Sequence, residues 1–101
     1  MTTVVNVRNV NPWDPDVVYV GRANPRIGLK GSKWANPFKI GPFTREESID
    51  AYRTFIQTEI REKPLLYRLD DLRGKKLACW CAPKACHGDV LAELCNAQVP
   101  A

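Results

Sequence analysis

KKLACWCAPKACHGDVLAELC, running from Lys75 to Cys95, changes its apolar period halfway along. In its first third Leu77, Cys79 and Cys81 alternate with Ala78 and Trp80, the period-two pattern of a strand, whose successive side chains point to opposite faces. After the APKA turn, Val90, Leu91, Leu94 and Cys95 recur at helical spacing, which predicts a helix from about Cys86 to Ala97 with one buried side. A strand followed at once by a helix is the repeating unit of α/β proteins. Two β-branched runs upstream, TVVNV (Thr3 to Val7) and VVYV (Val17 to Val20), supply further strands. The expectation is a small single α/β domain over residues 1–101, with a largely parallel sheet flanked by helices.

The remaining segments fit between these elements. NVNPWDPD reads as a loop punctuated by Pro12 and Pro15. From Gly21 to Pro42 the chain is rich in Gly, Pro, Asn and Lys and has no period, so it is read as one long ordered loop. Such loops are uncommon in compact domains and are usually functional or mobile. Thr44 and Glu47 have the spacing of a capping box. Ile49, Tyr52, Ile56 and Ile60 then make an apolar helical face, and Pro64 ends that helix. LLYRLDDLRG is a short helix or turn closed by Gly74.

Composition sets limits on function. Hydrophobic residues are 45% and charged residues 26% of 101, the balance of a globular protein able to build one core. No apolar run reaches the roughly 18 residues of a membrane span, and MTTVVNVRNV lacks the pattern of a signal peptide. A cytoplasmic location with no membrane partner is expected, and there cysteines are read as free, metal-bound or catalytic before disulfide-paired. The net charge of +4 is modest, but Arg22, Arg26, Lys30, Lys33 and Lys39 fall in one loop without an acid. Such a loop suits an anionic small molecule or nucleic acid.

All four cysteines and the single histidine lie between Cys79 and Cys95. In open α/β sheets, ligands sit beyond the carboxyl ends of the strands, where helix N-termini point. Cys81 is expected at such a strand end, and Cys86, His87 and Asp89 at the start of the following helix. Free amides and the helix dipole there favour an anion or a thiolate. Cys86, beside His87 and close to Lys84, is therefore expected to be the most reactive thiol; docking of the helix on the sheet is its alternative role. Cys79, Cys81, Cys86 and His87 are the donors a zinc ion would use, although the C-x-C-x4-C-H spacing differs from the usual zinc knuckles. Cys95 falls on the core side of its helix.

YVGRA (Tyr19 to Ala23), GSKWANPFKIG (Gly31 to Gly41), TREESIDAYRTFI (Thr44 to Ile56) and LACWCAPKACHGDVLAEL resemble the signature blocks of family 4326 among the domains of unknown function. This is a group of small proteins of bacteria and their phages. The resemblance runs from about Val4 to Asn96. It implies a compact α/β fold and makes Arg22, Ser32, Trp34, Asn36, Pro37, Cys79, Cys81, Cys86, His87, Gly88 and Asp89 positions of a shared pattern. It brings no activity with it.

Three functions compete on these residues. The first is an enzyme or binding domain for a nucleotide, nucleoside or nucleic-acid base. Arg22, Ser32, Lys33, Trp34 and Asn36 would then hold the ligand, while Cys81, Cys86, His87 and Asp89 do chemistry or orient it. The second is a zinc-binding structural domain. The third is a phage-encoded module acting on a host protein through exposed Trp13, Trp34 and Phe43. The first also predicts that the basic loop folds over the end of the last strand, bringing Arg22 and Asn36 near Cys86, His87 and Asp89.

Overall fold

The computed structural model describes residues 1–82 and 84–97. Three short strands form one parallel sheet: β1 (Thr3–Asn6), β2 (Val17–Tyr19) and β3 (Lys76–Cys79), in the order β1-β3-β2. Val4 and Val18 both stand opposite Leu77, one on each side. Two helices complete the fold, α1 (Arg45–Glu62) and α2 (His87–Ala97). The α/β expectation is met: a compact three-stranded parallel sheet with two helices. None of the described helices is long and apolar enough to cross a membrane.

The alternation read from LACWC decides which side of the sheet carries the core. Leu77 and Cys79 pack with Tyr52 and Ile56 of α1 and with Val90, Leu91 and Cys95 of α2. Ala78 points the other way, into a smaller cluster with Val7 and Leu29, against which Tyr19 and Trp80 pack. Both helices thus cover one face, and turns and loop residues cover the other. β3 stops at Cys79, two residues short of the expected strand end, so Trp80 and Cys81 already belong to the turn. Pro83, inside that turn, lies outside the described residues.

Helix α1 starts where its sequence says it should. Thr44 Oγ1 accepts from Glu47 N–H at 3.1 Å, and Glu47 Oε1 accepts from Thr44 N–H at 2.9 Å. The Thr44 amide, first, and the Thr44 hydroxyl hold the Glu47 carboxyl below the usual carboxylate range. Its buried side chains are Ser48, Tyr52 and Ile56 at i, i+4, i+8. Gly74 precedes β3 with φ +75°, a conformation that side chains with a Cβ adopt only under strain.

The segment from Gly21 to Pro42 is ordered by its own turns and by the core. Asn24 and Leu29 pair as an isolated antiparallel bridge around a short 3-10 turn at Pro25–Ile27. Trp34, 3% exposed, is driven between Tyr67, edge-on at 5.3 Å, and Tyr52, whose hydroxyl donates to Trp34 O at 2.7 Å. Burial of this indole fixes the loop against α1.

Candidate functional site

A cavity of about 340 Å³ opens at the carboxyl ends of β2 and β3, between the N-termini of α1 and α2. Its wall brings together Arg22 and Asn36 from the loop, Arg45 and Ser48 from α1, and Cys79, Cys81, Cys86 and His87 from the β3–α2 junction. Phe38, Ile49 and Trp80 supply its apolar surface. Residues separated by up to 65 positions therefore share one pocket, because parallel strands all end on the same side.

Arg22, Asn36, Arg45 and Ser48 of the wall are each positioned by a bond to the backbone. Arg22 donates through Nε and Nη2 to Asn36 O, at 3.2 and 2.7 Å. Arg45 donates through Nη1 to Ala85 O at 2.8 Å. The Asn36 amide donates to Ser48 Oγ at 2.8 Å, Ser48 Oγ donates to Phe38 O at 2.5 Å, and Phe38 N–H donates back to Asn36 Oδ1 at 2.9 Å. This closed ring of bonds ties the loop to the first turn of α1. Trp80 Nε1 donates to Tyr19 Oη at 2.8 Å, and Tyr19 Oη donates to Arg22 O at 2.5 Å. The tyrosine hydroxyl leaves no room for a side chain at Gly21, where a Cβ would lie 2.5 Å from it.

Among the described residues the wall carries the cations Arg22, Lys39 and Arg45 and no Asp or Glu. His87 Nε2 lies 2.6 Å from Val20 O, which can only accept, so Nε2 carries the proton and Nδ1 is the acceptor nitrogen. Burial of His87, chiefly, holds its imidazole below its ordinary range, and Arg22 adds to the effect. The neutral form dominates at pH 7.

The thiols are arranged in an unexpected way. Cys79 Sγ and Cys86 Sγ are 3.1 Å apart, and both residues are buried. Hydrogen bonding to Cys86, first, and to the amides of Ala82 and Cys81 pulls the Cys79 thiol down to about 6, against the cost of burial. The Cys86 thiol is pushed far up by the same contact and by burial. The sequence had marked Cys86 as the thiolate, through its place at the helix start. Two successive amides converge on the Cys79 sulfur and one on Cys86, which favours the charge on Cys79. All four cysteines are free, and Cys95 is buried, its thiol pushed up by desolvation.

Among the candidate residues, Arg22, Asn36, Cys81, Cys86 and His87 line the cavity. Asp89 does not; its Oδ2 accepts from Cys86 N–H at 3.0 Å and caps α2. Ser32, Lys33 and Trp34 are corrected as wall residues. Ser32 Oγ accepts from Trp34 N–H at 3.0 Å and braces the loop. Lys33 Nζ turns away to Leu66 O at 2.5 Å. Trp34 is core, and for the same reason cannot be an exposed anchor, although Trp13 (67%) and Phe43 (37%) are exposed. Among the described residues no three His, Cys, Asp or Glu side chains are grouped to hold a metal ion. Two of the four donors considered for zinc are turned on each other, and His87 Nε2 is spent on Val20 O.

Arg45 and Ser48 were missed by sequence reasoning, as was the pairing of Cys79 with Cys86. A signal for the first two exists. Arg45 follows the capping Thr44 directly, and Ser48 shares the i, i+4 stripe of Tyr52 and Ile56. A polar residue in a buried stripe implies a partner.

No solved structure matches the chain. A phage protein, the "Uncharacterized 12.4 kDa protein in nrdA-td intergenic region" of Enterobacteria phage T4, is 32% identical over 68 residues, covering 66% of this chain. The chain spans 63% of that relative's length. The profile of the family described as "Domain of unknown function (DUF4326)" matches residues 5–97. The chain belongs to the DUF4326 family.

Proposed function

We propose that the strand-end cavity binds a nucleotide, nucleoside or related nucleic-acid fragment. The observation that carries this reading is a wall with three cations, no carboxylate and an apolar side of Phe38, Ile49 and Trp80. Guanidinium groups of Arg22 and Arg45 suit phosphate, since they present paired donors in one plane. The indole and phenyl faces suit a base, whose stacking on aromatic side chains contributes roughly 1–3 kcal/mol. The cavity volume of about 340 Å³ lies at the lower end of the ~300–1,000 Å³ usual for small-ligand sites, which favours a mononucleotide over a dinucleotide.

Thermal denaturation with a panel of ribonucleoside and deoxyribonucleoside monophosphates, nucleosides and inorganic phosphate tests this. A ligand at 100 times its Kd adds about 2.7 kcal/mol. That corresponds to a rise in Tm of roughly 10–20 °C for a domain of this size. Arg45→Gln should reduce the shift for phosphorylated compounds and leave the smaller shift for nucleosides unchanged. A panel with no shift at millimolar concentration for any nucleotide rejects the reading.

A further inference from the structure

We infer that Cys79 and Cys86 form a two-thiol redox centre on the cavity floor, which reduces small hydroperoxides and closes to a disulfide. This goes beyond the binding reading and does not depend on the cavity's ligand being a nucleotide. The two sulfurs lie 3.1 Å apart at the end of β3 and the start of α2. A disulfide bond of about 2.05 Å needs them to close by only about 1 Å. Both residues line the cavity, so the pair is reached from solvent through it, yet they are only 1% and 3% exposed. Sulfurs this deeply buried are open to an oxidant of a few atoms before a bulky disulfide such as oxidised glutathione.

The two sulfurs are chemically unlike. The amides of Cys81 and Ala82 bond the Cys79 sulfur and Cys86 Sγ lies against it, which favours Cys79 as the thiolate, the nucleophilic form. Cys86 stays protonated and adjacent, the position of a resolving thiol. In the first step the Cys79 thiolate attacks the hydroperoxide ROOH. The O–O bond breaks, and Cys79 becomes the sulfenic acid as RO⁻ leaves and is protonated by solvent, giving ROH and hydroxide. In the second step the Cys86 sulfur attacks the Cys79 sulfur. The S–S bond forms and the S–O bond breaks, and the departing hydroxyl takes the Cys86 proton as water. In sum, Cys79–S⁻, Cys86–SH and ROOH give the disulfide, ROH and hydroxide, since one water enters and one leaves. Two electrons pass from the sulfurs to the peroxide, and an external dithiol returns them.

The same geometry ranks the other two thiols below this pair. Cys95 is buried on the core side of α2, with Leu69 O as its sulfur's partner at 3.8 Å. Cys81 is half-buried in the cavity wall, and among the described residues the close sulfur–sulfur contact is the one between Cys79 and Cys86.

Titration of the wild-type protein with hydrogen peroxide, followed by alkylation and peptide mass mapping, tests the inference. The expected product loses about 2 Da and two alkylatable thiols, carries a Cys79–Cys86 link and regains both thiols with dithiothreitol. In Cys86→Ser the reaction should stop at a sulfenic acid on Cys79, trapped by dimedone. In Cys79→Ser, peroxide consumption should fall at least about tenfold. Oxidised glutathione at equal concentration should react at least about tenfold more slowly than peroxide. Circular dichroism of both variants separates loss of reaction from loss of fold, and the wild-type mapping stands even if a variant does not fold. A protein whose Cys81 or Cys95 oxidises while the Cys79–Cys86 pair stays reduced overturns the inference, as does one oxidised faster by glutathione disulfide than by peroxide.

Discussion

Replacing Ser48 by Ala removes one oxygen from a residue that is 2% exposed. That oxygen accepts from the Asn36 amide at 2.8 Å and donates to Phe38 O at 2.5 Å. Each partner left unpaired costs ~1–3 kcal/mol if fully buried. Asn36 and Phe38 are only partly buried and line the cavity, so water reaches both and the lower figure applies. Two groups at about 1 kcal/mol each give about 2 kcal/mol. Alanine recovers up to about 0.5 kcal/mol through its better helix propensity. The net loss is about 1.5 kcal/mol, which lowers Tm by roughly 6–12 °C at 4–8 °C per kcal/mol. Urea denaturation should show the midpoint falling with an unchanged m-value, since the exposed area barely changes. A double-mutant cycle with Asn36→Ala should show coupling of about 0.5 kcal/mol or more, because both changes break the same ring. Ser48→Ala with a stability within ~0.3 kcal/mol of the parent would falsify the reasoning, and with it the idea that this ring seats the loop.

Tyr52→Phe leaves Trp34 O without its 2.7 Å donor inside the core, and should cost about 1–3 kcal/mol in urea denaturation without exposing the indole to a fluorescence quencher. Stability should also fall in mild acid. His87 has a lowered folded pKa, so the unfolded chain binds the proton more readily. Its contribution is complete above about pH 6.5, the ordinary imidazole value, and is lost as pH falls through the lowered folded value. Urea midpoints at pH 7.5 and 5.5 measure this, with Asp89 and Arg22 as the charged neighbours that His87 feels. His87→Gln, which keeps a donor for Val20 O, should flatten the difference, and an equal drop in both proteins assigns it elsewhere.

The elements were legible in the sequence because each depends on a short-range pattern. Leu77 and Cys79 against Ala78 follow from alternation alone, and Thr44 with Glu47 from capping chemistry. The meeting of Arg22 with Cys86 and His87 was legible one step further on. Parallel strands put all their carboxyl ends on one side, and the loop after β2 leaves from that side. The roles of individual loop residues were not legible. Its place in a basic, aperiodic loop makes Trp34 read as a wall residue. It is core because Tyr52 and Tyr67 offer an aromatic niche, a property of packing between elements that no local pattern encodes. Lys33 follows its neighbour: once the indole is buried, the lysine is carried to Leu66 O, away from the cavity. The contact between Cys79 and Cys86 was hidden for a related reason. It depends on how tightly the chain turns between β3 and α2, and the spacing C-x6-C alone does not fix that.

The sequence also suggested that the amides at the start of α2 would hold the ligand's anion. The structure gives those amides other work. Cys86 N–H is bonded to the Asp89 carboxylate, and Asp89 N–H to Cys86 O. Gly88 N–H lowers the Cys86 thiol's pKa by bonding its sulfur. The amides of Cys81 and Ala82, in the turn before the helix, serve Cys79 in the same way. The positive end of this helix is thus taken up by a carboxylate and the Cys86 sulfur, and the turn before it by the Cys79 sulfur. An external anion in the cavity has to be held by side chains, and Arg22, Lys39 and Arg45 are the ones on its wall. Arg22 and Arg45 are held by carbonyl oxygens, not carboxylates, so their charge is not cancelled where they are fixed. The division of labour follows from the fold. The β3–α2 junction supplies the sulfur chemistry, while the loop and the first turn of α1, joined through Asn36 and Ser48, supply the charge.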